Sequence, residues 1–193
     1  MLHFLEEHKK SMEKICAGLN KYEKRKVALM CLERQFKAYQ QFAKDRQWNR
    51  WEEYREILDI CWDAVLDNKE LNEDIWKKHE RIKPENVNNT TKEYAETEFA
   101  YGNIFATNME AFLEMLLEDT GNEVSFCLFN IEFILNYLNE DKVIQDKNVA
   151  SECMKREVEN QSNDAAQQKK LKNLTDVQNW YEQTDNLICI EYF

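Results

Sequence analysis

Residues 28–43 read ALMCLERQFKAYQQFA, and the rhythm of this stretch decides the fold. Ala28, Cys31, Leu32, Phe36, Tyr39, Phe42 and Ala43 return every three to four positions, the period of one helix face and not the alternation of a strand. Upstream, Asn20 followed by Glu23 forms a capping-box pattern, which predicts a helix from there to about residue 47. Further upstream, Leu5, His8, Met12, Ile15 and Leu19 form a second apolar stripe, ending near Gly18. Downstream, Trp51, Tyr54, Leu58, Cys61, Trp62 and Val65 predict a third helix over about 50–67, and residues 70–81 a shorter one that stops ahead of Pro84.

The same reading continues to the far end. Pro84, Asn86, Asn88 and Asn89 mark a loop near 83–91. Thr90 with Glu93 then caps the longest helix, to about Asp119, with Tyr101, Ile104, Phe105, Met109, Phe112 and Leu116 inward. Gly121 suits the left-handed position that ends a helix. Residues 124–138 carry Cys127, Leu128, Ile131, Ile134, Leu135 and Leu138 inward, and Phe126, Phe129 and Phe133 widen that face, so this helix is expected near the centre. The polar third, 148–193, is harder to read. Val149, Cys153, Val158 and Ala165 make a sparse stripe suited to an exposed helix, and 159–170 is the best candidate for a loop. Thr175 with Gln178 resembles a cap for a short helix holding Val177, Trp180 and Tyr181. The apolar tail 187–193 is expected to pack against the bundle.

Composition agrees. The chain has 193 residues, 43% of them apolar, but only three Gly and one Pro. All-β and doubly wound α/β folds need far more turn residues than that. The expectation is one all-α domain over 1–193, a bundle of about seven to eight helices. The net charge of −11 is unevenly divided. Residues 1–50 hold twelve Lys and Arg against six acids, and everything after is strongly acidic. An acidic surface disfavours nucleic acid and anionic membrane and favours a basic protein partner. The cluster Lys21, Lys24, Arg25 and Lys26 is too short for a continuous phosphate-binding face and reads as a solvated helix end. No run reaches the ~20 apolar residues of a membrane span. With no signal-like leader in the first twenty residues, the cytoplasm is the expected compartment.

No motif carries chemistry. Cys16, Cys31, Cys61, Cys127, Cys153 and Cys189 form no C-x-x-C, and most sit at helical core spacing as small buried hydrophobes. A di-iron bundle needs Glu three residues before His. Leu5 stands there for His8 and Trp76 for His79. Zinc needs clustered Cys and His, which are missing. Neither a metal nor another cofactor is expected. His8 reads as a core-edge residue and His79, among Lys77, Lys78 and Arg81, as a solvated one. Arg55 and Asp59, one turn apart, read as a pair that fixes helix packing.

Cys31-Leu32-Glu33-Arg34 with Tyr39 and Phe42, then Tyr54-Arg55-Glu56-Ile57-Leu58-Asp59 with Trp62, resembles a bacterial all-helical family, the YjaG-like proteins catalogued as domain of unknown function 416. The resemblance is best over 27–66, extends to 94–117 and fades after Gly121. It implies a helical bundle in a bacterial cytoplasm and supplies no catalytic residues. This chain departs from the pattern at Asn108, where an acid is expected.

Function is therefore expected to lie in binding. The leading reading is a non-catalytic protein that binds a basic partner, such as the toxin domain neutralised by an immunity protein, through Glu96, Glu98, Glu110, Glu114, Glu118, Asp119 and Glu123. The second is a small-ligand or enzymatic bundle with a polar pocket around Glu33, Arg34, Arg55, Asp59 and Trp62. The third is a structural homodimer. The first two part on geometry: whether the polar groups converge on an open cavity or close upon one another.

Overall fold

The computed structural model describes residues 2–45, 51–82, 96–139 and 147–184. These form eight α-helices: α1 Leu2–Cys16, α2 Lys21–Asp45, α3 Trp51–Leu66, α4 Asp74–Ile82, α5 Glu96–Glu118, α6 Ser125–Asn139, α7 Lys147–Gln167 and α8 Leu174–Gln183. A 3₁₀ turn, Gln168–Lys170, follows α7. The described residues contain no strand, and none of their helices is long and apolar enough to cross a membrane. The fold is the all-α bundle that the spacing predicts. The loop near 83–91 and the tail 187–193 lie outside the described residues.

α2 is central, packed against α3, α5, α6 and α7. Every residue from Val27 to Phe36 is buried, so this part of the helix has no solvent face. An amphipathic helix on a surface needs one apolar stripe; a helix buried all round is apolar all round, or its polar residues must find partners. Leu29 and Met30 supply the extra apolar side, and Glu33, Arg34 and Gln35 supply the polar exception. α2 begins as its capping box requires: the Asn20 side chain accepts from the Glu23 amide at 3.0 Å, and Glu23 accepts from the Asn20 amide at 2.9 Å.

The main apolar core joins α2, α3, α5 and parts of α4, α6 and α8. Its centre is aromatic. Tyr39 stacks on Phe105 with ring centres 4.8 Å apart, and Tyr54 meets both edge-on at 5.5 and 5.2 Å. Such edge-to-face and offset contacts suit the ring quadrupoles. A smaller core, with Met12, Cys16, Val27, Cys31, Cys127 and Ala165, lies under α1. α6 touches α1, α2, α5 and α7, the interior position its wide apolar face predicts.

The helices differ from expectation at several places. Ile15 is 39% exposed, and Cys16 takes the inward position, because His8, Met12 and Cys16 recur strictly every four residues. α4 starts at Asp74, not residue 70, where the Asn72 side chain accepts from the Asp74 amide at 2.9 Å. His79 is fully buried, with Nε2 donating to the Ala106 carbonyl at 3.3 Å. Residues 159–167 are helix, not loop. α8 is capped by Asn173, which accepts from the Asp176 amide at 3.0 Å, and not by Thr175.

Candidate functional site

Glu33 and Arg34 are adjacent on a helix and therefore diverge by about 100°. Glu33 faces α3. It is fully buried, and its two oxygens accept from Arg55 Nη1 and Nη2 at 2.7 Å each, with Trp62 Nε1 also donating at 2.7 Å. Arg55 Nε donates to Asp59 at 3.0 Å. The guanidinium lies 5.2 Å from the Phe36 ring centre and 5.8 Å from that of Tyr181, so α8 closes over it. Burial works against the Arg55 charge, but Glu33 and Asp59 outweigh it and its pKa moves upward. Lys37 adds a bridge to α8, donating to the carbonyls of Tyr181 at 3.1 Å and Thr184 at 2.6 Å, where a cation favours the helix end.

Arg34 faces α7 and enters a second, larger network. Its Nε and Nη2 donate to Glu157 at 2.8 and 2.9 Å. Glu157 also accepts from Asn130 at 2.6 Å and Gln161 at 2.7 Å. Asn130 accepts from Gln35 at 2.6 Å, and Gln35 from Asn108 at 2.8 Å. At the other end, His8 Nε2 donates to Gln161 Oε1 at 2.7 Å. A continuous polar chain thus runs from α1 to α5 through α7, α6 and α2. Its direction is set by Glu157, an acceptor only, towards which the amides turn their NH₂ groups. Asn108 fits this chain because it must donate; an ionised acid there could not.

The third cluster takes in the basic stretch at the start of α2. Arg25 is buried, 2.7 Å from Asp119 and 3.7 Å from Glu123. Lys21 reaches Asp119 at 2.8 Å and Glu70 at 3.5 Å, and Lys26 donates to the Leu171 carbonyl at 3.0 Å. The hydrogen bond from Lys21 leads in holding the Asp119 carboxyl below its usual range. These residues are not a free helix end: cations from the first fifty residues meet anions from the rest, and part of the charge asymmetry is taken up in these pairs.

Each residue singled out from the sequence can now be placed. Glu33, Arg55, Asp59 and Trp62 come together and close upon one another. Arg34 belongs to the separate α7 network, so the five do not line one pocket. Glu114 and Glu118 are exposed and Glu110 is half-buried, but Glu123 is buried against Arg25, and Asp119 is engaged by Lys21 and Arg25. The side chains of Glu96 and Glu98 lie outside the described residues. These acids do not form one outward surface. Among the described residues, no group of three or more His, Cys, Asp or Glu is arranged to hold a metal.

A different acidic face stands on α3. Its exposed residues are Glu52, Glu56, Ile60 and Asp63, spaced four, four and three apart. The stripe continues to exposed Asp67. From Trp51 to Asp74 there are nine carboxylates against Arg55 and Lys69. Ile60 is 41% exposed in the midst of them. Within the stripe Glu56 is paired with Lys78 of α4, and beside it Asp59 leans to Arg55. Apolar spacing marks only the buried side of a helix; the signal for this face is the acidic spacing of 52, 56, 63 and 67 opposite the apolar stripe.

No family model matches the chain, and no curated protein or solved structure does either.

Proposed function

We propose that this protein is a non-catalytic binding protein that receives a basic protein partner on the outer face of α3. The observation that carries the reading is the composition of that face: three carboxylates and one half-exposed isoleucine. Carboxylates would draw a basic partner and set its approach rate, and Ile60 would offer an apolar contact that excludes water at the centre. The rigid backing of α3 by the Glu33–Arg55 pair keeps the face pre-organised, which lowers the cost of ordering on association. An immunity protein that occludes the basic site of a toxin is the specific form we favour.

The test is capture from the native host with three forms of the protein: unchanged, Glu56→Lys with Asp63→Lys on α3, and Glu114→Lys with Glu118→Lys on α5. The reading expects a basic partner held by the first and third forms, lost by the second, with an association rate that falls steeply as salt rises. A partner retained by the α3 variant, or one whose association is indifferent to salt, would overturn it.

A further inference from the structure

The buried face of α7 is unusual in its chemistry. Its buried positions are Cys153, Glu157, Gln161, Asp164 and Ala165, with Gln168 continuing the stripe into the 3₁₀ turn. Two of these six are apolar. Over the described buried positions of this face, polar groups therefore do most of the seating. Arg34 is the only cation of α2 that meets both carboxylates.

The two carboxylates are not equivalent. Glu157 has four donors on its oxygens: Arg34 Nε and Nη2, Asn130 and Gln161. A proton there would have to displace one of them. Asp164 has a single cationic neighbour, Arg34 Nη2 at 2.8 Å from Oδ2, and out of line for a hydrogen bond. With both acids ionised, three buried groups carry one uncompensated negative charge. That state is relieved by a proton or by letting water in.

We propose that Arg34, Glu157 and Asp164 form a proton-operated latch, in which a proton on Asp164 seats α7 against α2 and its loss loosens the C-terminal half of that helix. Burial raises the Asp164 carboxyl to about 6, against the pull of Arg34 and helped by Glu157. The latch is therefore poised just below neutrality. The other titratable groups around it are accounted for. From α1 come His8, whose Nε2 donates to Gln161, and Cys16, whose thiol burial pushes up to about 11. From α2 come Cys31, whose thiol burial drives well up, and, nearer the 3₁₀ turn, Glu23 and Lys26. From α6 comes Cys127, 3.9 Å from Cys31. Lys169 and Lys170 of the turn are exposed. Cys16 and Cys31 stay neutral across the range, and His8, bonded to Gln161, is the residue a second variant controls for.

Hydrogen exchange read by mass spectrometry separates Asp164 from His8. Peptides covering 153–170 are followed at pH 5 and pH 7.5, corrected for intrinsic exchange, with α3 peptides as the internal reference. Protection in α7 should fall by about tenfold or more between the two pH values, as expected for a carboxyl shifted by two units, while α3 holds. Asp164→Asn, neutral at every pH, should abolish the difference, and His8→Gln should keep it. Protection in unchanged α7 that does not depend on pH would overturn the latch. So would a dependence that survives Asp164→Asn, or one that disappears in His8→Gln, which would put the proton on the histidine. Should Asp164→Asn fail to fold, the pH dependence of α7 against α3 in the unchanged chain and its persistence in His8→Gln decide together.

Discussion

Arg55 holds Glu33 by two parallel bonds of 2.7 Å, and Glu33 has no contact with solvent. A bidentate pair of this kind gives both energy and orientation, and here it locks α3 to the central helix. Removing one partner strands a buried charge. Arg55→Met should destabilise the protein by about 3–5 kcal/mol, whereas Glu33→Met with Arg55→Met should cost less than Arg55→Met alone. Urea unfolding of the unchanged protein, Glu33→Met, Arg55→Met and the double variant measures the cycle. Additive losses would show that the pair is not the unit described.

Trp62 serves the same carboxylate. Its ring is fully buried and its Nε1 donates to Glu33 at 2.7 Å. Trp62→Phe keeps most of the packing and deletes the donor, so a loss of about 1–2 kcal/mol is expected. Trp62→Ala opens a cavity as well and should lose about 3–5 kcal/mol. Equal losses in the two variants would mean that packing alone matters at this position.

Burial gives Asp164 the opposite pH behaviour to Asp119, whose carboxyl Lys21 holds down. The Asp164 carboxyl is raised from 3.8 to about 6 in the folded chain. A group that binds its proton more tightly when folded stabilises the fold below its unfolded pKa and loses that contribution as pH rises through its folded pKa. The difference in stability between the unchanged protein and Asp164→Asn should therefore shift in favour of the variant between about pH 4 and pH 6.5, by about 2 kcal/mol in total. Denaturant titrations of both forms across that range give the curve. A flat difference would place the Asp164 pKa at its ordinary value.

The five described cysteines, Cys16, Cys31, Cys61, Cys127 and Cys153, are all buried. Thiolate is the reactive form, and burial disfavours it; the Cys16 thiol is held at about 11. A thiol reagent at pH 8 should label none of these five in the folded protein and all five in denaturant. Fast modification of Cys31 or Cys127 under native conditions, located by peptide mapping, would show that the region under α1 opens readily.

Helix positions were legible because apolar residues mark the inward face. Tyr54, Leu58, Cys61, Trp62 and Val65 are all buried as their spacing predicts. The pairing of Arg55 with Asp59 was also legible, since partners one turn apart need only local geometry. α7 was misread for the same physical reason run backwards. Its inward stripe of Glu157, Gln161, Asp164 and Gln168 is polar, and polarity in a sequence reads as exposure. His79 was misread likewise: three cations beside it in sequence point elsewhere on a helix that buries Ile75, His79 and Ile82.

From the order of residues alone came the helical class, the near absence of turns and the excess of acid after residue 50, because these depend on local spacing and composition. Only the folded chain decided which charges meet: Arg25 with Asp119, Arg34 with Glu157, Arg55 with Glu33. Those partners lie 94, 123 and 22 positions apart, and no local rule connects them. Which acids of α3 were left at the surface followed from the same packing.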